Sequence, residues 1–328
     1  MHPKTECRRK DIIMNQASSD ISQTSVSVII PAFNANATID RALASVAAQT
    51  VMPQEIIVID DGSDDGTVDK AKAWESRFSN SKLIIHVENH NGPGATRNRG
   101  LLAATSEYVA FLDADDEWLP KKLERSLTAL IESDSNILSH NYTIISGDQT
   151  NLVDCFASYQ KSGNAFAGYF LRGYIATSTV VAQRNLLIDA GGFDPGLPSG
   201  QDYEFWMVVI DSPKARYQML NESLARYHVT PNSISSKIEL RRQCALAIAF
   251  RHAYRLRDRC RFPTWVLMLR ILIIHAQAAI GHISRSRFIE AIKMCGYTII
   301  ALFSMMRKFS TSAAPRPQHL HIGHDGHK

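Results

Sequence analysis

The sequence predicts an α/β fold, in which a mostly parallel, doubly wound sheet is flanked by helices and followed by a C-terminal helical extension. Short apolar runs, typical of strands buried on both faces, alternate with segments whose apolar residues recur at helical spacing. Such alternation is typical of βαβ units and a parallel sheet. The predicted strands are Val26–Ile30, Glu55–Ile59, Leu83–Val87 and 108–113, and the predicted helices between them are 37–49, 68–78 and 95–105.

Composition and charge divide the chain into two parts. Its 328 residues are 45% hydrophobic and 21% charged, which is ordinary for a globular protein with one large α/β domain and an appendage. Residues 1–235 contain 20 Lys/Arg and 28 Asp/Glu, a net charge of −8, whereas residues 236–328 contain 16 and 4, a net charge of +12. The acidic body argues against nucleic acid as its ligand, and the basic part leaves open an anionic partner such as a membrane surface.

We predict four segments along the chain. They are a disordered N-terminal arm (1–24), the α/β domain (25–235), a C-terminal helical region (236–310) and a disordered tail (311–328). The five cysteines form no C-x-x-C pair, which favours a reduced compartment, and no apolar segment typical of a signal peptide follows the basic N-terminus. We therefore expect a cytoplasmic protein.

The predicted strand 108–113 leads directly into three carboxylates, Asp113, Asp115 and Asp116. In extended geometry Asp113 and Asp115 would point the same way and Asp116 the opposite way. Carboxylates this close repel one another unless a cation or a proton intervenes. The alternative is an acidic turn that caps the helix beginning near Pro120.

Two other predicted strands end in polar residues at the same edge of the sheet. In such sheets, ligands bind at the carboxyl ends of the strands. The two strands deliver Pro31-Ala-Phe-Asn34 and Asp60-Asp61. No G-x-G-x-x-G follows the first strand and no Walker A motif is present, so neither a dinucleotide fold nor a P-loop is supported. Acidic residues can hold a diphosphate only through a divalent metal, and carboxylate oxygens suit Mg²⁺ or Mn²⁺. Asp60 or Asp61 could accept hydrogen bonds from a base or a ribose, and Phe33 could either cover a nucleobase or pack in the protein.

Four segments together resemble the successive motifs of the family 2 inverting glycosyltransferases with the GT-A fold. The resemblance covers roughly residues 25–235 and implies a nucleotide-diphospho-sugar donor, with a UDP-sugar as the first choice. The segments are Val26-Ser-Val-Ile-Ile-Pro-Ala-Phe-Asn34, Ile56-Ile-Val-Ile-Asp-Asp-Gly-Ser-Asp-Asp-Gly-Thr67, Asn91-Gly-Pro-Gly-Ala-Thr-Arg-Asn-Arg-Gly100 and Phe111-Leu-Asp-Ala-Asp-Asp116.

The resemblance also implies roles for single residues. Asp61 would contact the base in a pocket lined by Pro31 and Phe33, Asp113 would lie near the ribose, and Asp115 would ligate the metal. Arg97 and Asn98 would support the loop on the donor side. Arg97 could instead be a structural ion-pair partner of the acidic residues.

The catalytic base is expected on the segment Gly191-Gly-Phe-Asp-Pro-Gly-Leu-Pro-Ser-Gly-Gln-Asp-Tyr-Glu-Phe-Trp206, which resembles the family's base-carrying loop and helix. Asp202 falls on the base position, where it would deprotonate an acceptor hydroxyl. Glu204 is the competing candidate, but two residues further along a helix it would face elsewhere. Asp194 fits a turn before Pro195. Aromatic residues that could stack on sugars, or pack in the core, are Trp118, Tyr203 and Trp206.

The segment Arg226-Tyr-His-Val-Thr-Pro-Asn-Ser-Ile-Ser235 resembles the one that closes the family's donor site, but it departs from the family's pattern. His228 stands where Arg is usual, and Thr230 stands where His is usual. A histidine that touches the diphosphate or the metal is therefore absent or displaced, and we assign no ligand role to His228.

The C-terminal region is predicted to be helical, with arginine clusters between apolar faces. Its apolar stretches Trp265–Ile274 and Ile299–Met306 are short and interrupted by Arg270, His275 and Lys293, so they are not expected to span a bilayer. A basic amphipathic surface of this kind either docks on the inner face of a membrane or packs as a cap on the body.

The sequence therefore predicts a metal-dependent, inverting glycosyltransferase acting on a glycan or lipid-linked acceptor in surface polysaccharide biosynthesis. A polyprenyl-phosphate glycosyl synthase would share the front half but needs no strong base at Asp202. A catalytically silent nucleotide-sugar binding module is the alternative from another class, and it would have no use for that base.

Overall fold

The computed structural model describes residues 24–230 and 237–309, and within them one sheet of nine strands forms the centre of the protein. The strand order is β3-β2-β1-β4-β8-β6-β9-β5, and β7 pairs with β6. The strands are β1 (Val26–Ala32), β2 (Glu55–Asp60), β3 (Lys82–Val87), β4 (Tyr108–Phe111), β5 (Glu117–Trp118), β6 (Ile137–Ser146), β7 (Gln149–Val153), β8 (Val181–Gln183) and β9 (Tyr217–His228).

The sheet has a parallel half and a mixed half. Strands β1 to β4 run parallel, as predicted, so their carboxyl ends meet at one edge. Strand β8 pairs antiparallel with β4, and β6 pairs parallel with β9. The second half therefore joins the first through an antiparallel pair and extends the same sheet.

Helices cover both faces of the sheet and continue beyond it. Three short 3₁₀ segments accompany them in the described residues, at Glu75–Arg77, Thr177–Thr179 and Ala253–Asp258. The α-helices are α1 (Ile39–Ala47), α2 (Thr67–Lys72), α3 (Pro93–Ala103), α4 (Lys122–Glu132), α5 (Cys155–Gln160), α6 (Ala165–Arg172), α7 (Arg184–Asp189), α8 (Gln201–Asp211), α9 (Ile238–His252), α10 (Pro263–Ile283) and α11 (Phe288–Phe309).

Successive side chains of a strand point to opposite faces of the sheet, so the apolar residues of each strand are divided between two cores. Odd-numbered Ile29 and Phe111 belong to a core shared with α6, α8 and the C-terminal helices, and even-numbered Ile30 and Ala110 belong to a core shared with α1 and α4. This explains why the strands are continuously apolar in sequence. Helix α3 approaches the sheet closely at Gly100, where an added Cβ would lie 2.4 Å from Cγ2 of Ile29.

Two element boundaries differ from the sequence prediction, with consequences for the site. The predicted helix 68–78 is divided into α2 and a 3₁₀ turn, and the predicted strand 108–113 ends at Phe111. The amide of Leu112 still donates to the carbonyl of Ile29, but the chain then turns, with the Asp116 amide donating to the carbonyl of Asp113 at 3.0 Å. The strand alternation assumed for Asp113 and Asp115 is therefore wrong, because both residues lie in a turn.

The C-terminal helices pack on the body and are longer than expected. Helix α10 contacts α6, α9 and α11. By length and composition alone, Pro263–Ile283 and Phe288–Met305 could each cross a membrane. The predicted lengths of the apolar stretches are wrong, because α10 continues through Arg270 and His275, whose side chains are buried against the protein. The expectation that neither stretch spans a bilayer stays a prediction. The predicted boundary at 235/236 and most of both predicted disordered termini lie outside the described residues.

Candidate active site

The carboxyl ends of β1, β2 and β4 bring the predicted donor residues to one edge of the sheet. Ala32 is in register with Asp60, and the Asp61 amide donates to the Ala32 carbonyl at 2.8 Å. The register of β4 with β1 places Asp113 beside them. The parallel half of the sheet therefore assembles residues that are more than fifty positions apart.

Phe33 and His90 form an aromatic surface at the ends of β1 and β3. The Phe33 side chain is 48% exposed, and its ring centroid lies 4.3 Å from that of His90. Beneath it, the buried carboxylate of Asp61 accepts hydrogen bonds from the amides of Asn91 and Gly92, at 2.8 and 2.9 Å, and contacts Nδ1 of His90 at 2.9 Å. Asp61 therefore shapes the pocket by holding loop 88–92 next to the exposed ring.

Asp60 occupies a different position from Asp61. It is fully buried, and one carboxylate oxygen accepts a hydrogen bond from the Ser63 amide at 2.9 Å. The other oxygen, Oδ1, is buried without a hydrogen-bond partner. Of the two residues that the sequence left open, Asp61 is the one beside the exposed aromatic surface.

Arg97, on α3, connects acidic residues from distant parts of the chain. Its Nη2 lies 2.5 Å from Oδ1 of Asp113, and its side chain is 8% exposed. Burial alone would lower the pKa of Arg97, but the charges of Asp113, Asp202 and Asp115 outweigh it and raise the pKa. The predicted alternative, an ion pair with the acidic residues, is thus present, and it brings Asp202 into the neighbourhood of the strand-end acids.

Asn98, the neighbour of Arg97, joins α3 to the loop before α8. Its amide nitrogen donates to the Phe193 carbonyl and its oxygen accepts from the Phe193 amide, both at 2.7 Å. Glycine is needed at Gly192, where φ is +76° and an added Cβ would lie 2.5 Å from Oδ1 of Asn98. Asn98 therefore holds the loop that leads to Asp202, and its support of a donor-side loop stays a prediction.

The turn after β4 is held by Ser178, which no sequence motif pointed to. The Asp113 amide donates to its hydroxyl at 3.1 Å, and the hydroxyl donates to Oδ2 of Asp116 at 2.5 Å. The indole of Trp118 donates to the Ser178 carbonyl at 2.7 Å. Asp116 is buried and also accepts from the His228 amide at 3.4 Å, so it orders the turn, as predicted.

The three acids Asp113, Asp115 and Asp116, which we call the strand-end carboxylates, share one small region. The pKa of Asp115 is raised, first by burial and then by the charge of Asp113, while the hydrogen bond from Thr230 opposes the rise. The pKa of Asp116 is raised well above its usual range by burial and by both neighbouring carboxylates. A cation bound here would relieve this repulsion.

Asp115 is the strand-end carboxylate best placed for such a cation. Its Oδ2 accepts from the hydroxyl of Thr230 at 3.0 Å, and its carbonyl accepts from Nη2 of Arg41 at 2.5 Å. Among residues 24–230 and 237–309, no group of three or more His, Cys, Asp or Glu side chains could hold a metal. A cation of the Mg²⁺ type takes one or two carboxylates and completes its shell with phosphate oxygens and water.

Helix α8 carries Asp202 and Glu204, which have different surroundings. Asp202 is half-buried, and Oδ1 accepts a hydrogen bond from the Tyr203 amide at 2.7 Å. Glu204 is buried, and its Oε1 lies 2.6 Å from Nη1 of Arg251 and 2.9 Å from Nε2 of His252. Glu204 therefore faces α9, whereas Asp202 remains on the side of Arg97. The role of Asp202 as the base stays a prediction.

Asp194, Glu204, Arg251 and His252 form a group that we call the α8–α9 ion-pair cluster. Nη1 of Arg251 also lies 2.8 Å from Oδ2 of Asp194, whose Oδ1 accepts from the Gly196 amide at 2.9 Å. Asp194 is thus a turn residue, as predicted, and an ion-pair partner as well. The sequence signal for this cluster is only general, a basic helical region that follows an acidic body.

The remaining predicted residues have structural roles in the described part of the chain. Trp118 and Trp206 are buried, so the core alternative holds for them and sugar stacking is excluded. Nε2 of His228 lies 3.2 Å from Oε2 of Glu117. Thr230, in the position where the family usually has histidine, is the residue that contacts Asp115.

Comparisons with known proteins agree with this arrangement. A family model described as Glycosyl transferase family 2 matches residues 27–186. WfgD of Escherichia coli, named UDP-Glc:alpha-D-GlcNAc-diphosphoundecaprenol beta-1,3-glucosyltransferase, is 31% identical over 220 residues, which are 66% of this chain and 83% of that protein. AmsB of Erwinia amylovora, an amylovoran biosynthesis glycosyltransferase, is 33% identical over 217 residues, which are 62% of this chain and 70% of that protein.

The fold also matches a solved structure. Mannosyltransferase PcManGT from Pyrobaculum calidifontis, in complex with GDP-Man and Mn²⁺, superimposes with a TM-score of 0.58. The match covers 89% of this chain and 81% of that chain at 19% sequence identity. Its similarity therefore concerns the fold, which is the GT-A fold.

Proposed function

The chain belongs to the family 2 glycosyltransferases, and we propose that it moves a sugar from a nucleotide-diphospho-sugar to a hydroxyl group of a glycan or lipid-linked oligosaccharide. The first candidate for the donor is a UDP-sugar, and the pathway is surface polysaccharide biosynthesis. The observation that carries the proposal is the buried guanidinium of Arg97, which lies 2.5 Å from Asp113 and close enough to Asp202 and Asp115 to interact with their charges. This position supports a single site for the donor and the acceptor.

The donor would bind at the carboxyl ends of the parallel strands. The base would lie against Phe33 and Pro31, next to Asp61, and the ribose would lie near Asp113. Each Asp61 oxygen accepts one hydrogen bond from the amides of loop 88–92, and a carboxylate oxygen has a second lone pair with which it could accept one from the base. Two similar proteins support a nucleotide sugar, since WfgD is named for UDP-Glc and PcManGT was solved with GDP-Man.

Asp115 would hold a divalent cation, Mn²⁺ or Mg²⁺, together with diphosphate oxygens. When bound, the cation would stabilise the charge of the leaving diphosphate. Thr230 and Arg41 fix the carboxylate and the carbonyl of Asp115, so the residue is held before any donor arrives. The PcManGT structure contains Mn²⁺, which supports this assignment by fold similarity.

Asp202 would remove the proton from the acceptor hydroxyl, and the resulting single displacement would invert the anomeric configuration. The Tyr203 amide orients this carboxylate, and Glu204 is unsuited to the role because Arg251 and His252 occupy it. A lipid-linked acceptor agrees with the name of WfgD, which includes diphosphoundecaprenol. It would place the protein on the cytoplasmic face of the inner membrane, with the C-terminal helices in contact with the bilayer.

The proposal is tested with a panel of nucleotide sugars, by measuring release of nucleoside diphosphate with and without Mn²⁺ or Mg²⁺. We expect turnover of one donor, probed with short glycan and lipid-linked acceptors, that depends on the cation. Asp115→Asn should abolish metal-dependent donor binding in calorimetry because the carboxylate ligand is lost. Unchanged metal dependence in this variant would overturn the assignment of Asp115, and donor binding without any turnover would favour a silent binding module.

A further inference from the structure

Helix α10 differs from a helix that lies between a protein core and water, because many of its exposed residues are apolar and some of its buried residues are polar. Its buried residues include Arg270, His275 and His282. Its exposed side contains the apolar residues Trp265, Leu269, Leu272, Ile280 and Ile283, spaced three or four positions or two turns apart. A helix adapted to water places polar residues outside, so this pattern indicates an apolar environment on the outer side.

The neighbouring helix α11 extends the same kind of surface. Ile292, Ile299 and Phe303 are all more than half exposed, and α11 packs alongside α10. Together these side chains form what we call the outer face of the α10–α11 hairpin. Exposed apolar side chains on two adjacent helices are typical of a membrane or protein interaction site.

The charges around the hairpin favour an anionic partner. Arg261 is exposed just before α10, and Arg285 and Arg287 are exposed in the turn between the two helices. Residues 236–328 have a net charge of +12, whereas residues 1–235 have a net charge of −8. Cations at both ends of an apolar helix would lie at the level of lipid headgroups if that helix were parallel to the membrane.

The inner side of α10 is fixed to the catalytic body along its length. Nη1 of Arg270 donates to the Leu171 carbonyl at 2.9 Å, and its guanidinium lies 4.6 Å from the ring centroid of Tyr203. One turn further, Nε2 of His275 lies 3.2 Å from Nη1 of Arg242 on α9. A helix crossing the bilayer would have to give up these contacts and expose Arg270 and His275 to lipid, at a high cost.

We propose that the outer face of the α10–α11 hairpin inserts into the boundary between headgroups and acyl chains of an anionic phospholipid membrane, with both helices parallel to the membrane plane. This inference specifies the membrane contact within the proposed function and names the side chains that make it. The polar inner side stays on the body, so the active site is held at a fixed distance from the lipid surface.

Co-sedimentation of the full chain with vesicles tests the proposal. The chain should sediment with vesicles of mixed phosphatidylcholine and phosphatidylglycerol, and salt should weaken this binding without abolishing it. The double variant Leu272→Asp/Ile280→Asp should lower the partition coefficient by roughly tenfold or more, since it removes two aliphatic side chains that would be buried in the lipid. The matched control is Val87→Asp/Leu152→Asp, which adds the same charge at exposed apolar positions of the sheet and should bind like the wild type.

Two outcomes would overturn the contact with lipid. One is a wild-type chain that stays in the supernatant with these vesicles. The other is equal vesicle binding by Leu272→Asp/Ile280→Asp and Val87→Asp/Leu152→Asp, which would mean that binding depends on charge and not on the apolar outer face. A dimer in size-exclusion chromatography that only Leu272→Asp/Ile280→Asp dissociates, without vesicle binding, would assign the outer face to a second copy of the chain.

The orientation is tested by a tryptophan at the middle of α10. In a Trp265→Phe background, Leu272→Trp should be quenched by lipids brominated near the headgroup, because an interfacial helix lies at shallow depth. The other tryptophans, Trp74, Trp118 and Trp206, are buried in the body and should not respond. Stronger quenching by lipids brominated near the chain ends would show a crossing helix and overturn the parallel orientation.

Failure of this inference is separable from failure of the proposed function. Nucleoside diphosphate release with a soluble acceptor needs no membrane, so Leu272→Asp/Ile280→Asp should keep it. A variant that loses vesicle binding and retains this release supports both proposals. Turnover by a wild-type chain that never binds vesicles would leave the glycosyltransferase assignment in place and remove the membrane contact.

Discussion

The strand-end carboxylates and the α8–α9 ion-pair cluster are both rich in acidic residues, but their charge balance differs. Asp113 pairs with the buried Arg97, and the pKa values of Asp115 and Asp116 are raised by burial and by neighbouring carboxylates. In the ion-pair cluster, Asp194 and Glu204 are matched by Arg251 and His252. The first group has three carboxylates and one buried arginine, whereas each carboxylate of the second contacts at least one basic side chain.

This difference separates a binding site from a structural connection. Excess negative charge at a sheet edge is costly unless a ligand supplies positive charge, so it indicates a site. A balanced cluster between two helices needs no ligand and fixes their relative position. Asp202 and Glu204 lie two residues apart on α8 but differ in this respect. Asp202 is on the side of Arg97 and the strand-end carboxylates, whereas Glu204 belongs to the α8–α9 ion-pair cluster.

The largest effect is expected from Asp202→Asn. The amide cannot accept the proton of the acceptor hydroxyl, so transfer should fall by about 10²–10⁴-fold while donor binding is unchanged. Transfer rates and donor affinity measured on the same preparation provide the check. Full transfer activity in Asp202→Asn would move the base to Glu204 and break the comparison.

A smaller effect, on stability, is expected from Arg251→Met. The change leaves the buried carboxylate of Glu204 with His252 alone, so the free energy of unfolding should fall by about 1–3 kcal/mol. Denaturant titration gives this value, and Arg287→Met, at an exposed position in the α10–α11 turn, is the control. Equal stability of both variants would mean that the ion-pair cluster does not hold α9 on α8.

The third prediction concerns Lys122, whose buried ammonium group has no carboxylate partner among residues 24–230 and 237–309. Its Nζ lies 3.4 Å from the Val180 carbonyl and 4.1 Å from the ring centroid of Trp118, and burial lowers its pKa well below the usual range. Because the unfolded chain binds this proton at about pH 10.4 and the folded chain only at lower pH, stability should fall as pH decreases through that window.

Lys122→Met should remove this pH dependence and raise the free energy of unfolding near neutral pH by about 1 kcal/mol or more. Its exposed neighbour provides the matched control, since Lys121→Met should leave both quantities unchanged. Thermal or denaturant unfolding at several pH values measures the difference. A less stable Lys122→Met variant would show that the contact with Trp118 outweighs the cost of burial.

The sequence predicted the parallel half of the sheet and the edge where Asp61, Asp113 and Phe33 meet. Those predictions succeed because buried parallel strands are continuously apolar and because their carboxyl ends lie together. Ser178 and Arg41 were not predictable, since common residue types reach the site from more than sixty positions away. The interpretation of Arg270 from the sequence is wrong. A charge within an apolar stretch predicts the end of the apolar helix, whereas the Arg270 side chain points towards the body and the helix continues.

Helix α10 contacts protein on one side, and in the proposed membrane-bound form it contacts lipid on the other, so few of its positions would face water. Its outer positions should tolerate exchange among Leu, Ile, Val and Phe, because lipid chains adapt to the shape of a side chain. Its inner positions should tolerate much less, because Tyr203 and Leu171 fix the shape around Arg270. A library of substitutions along α10 should therefore show tolerance that repeats with the helical period. The outer positions should accept apolar side chains of different sizes, and the inner positions should accept changes in neither size nor polarity.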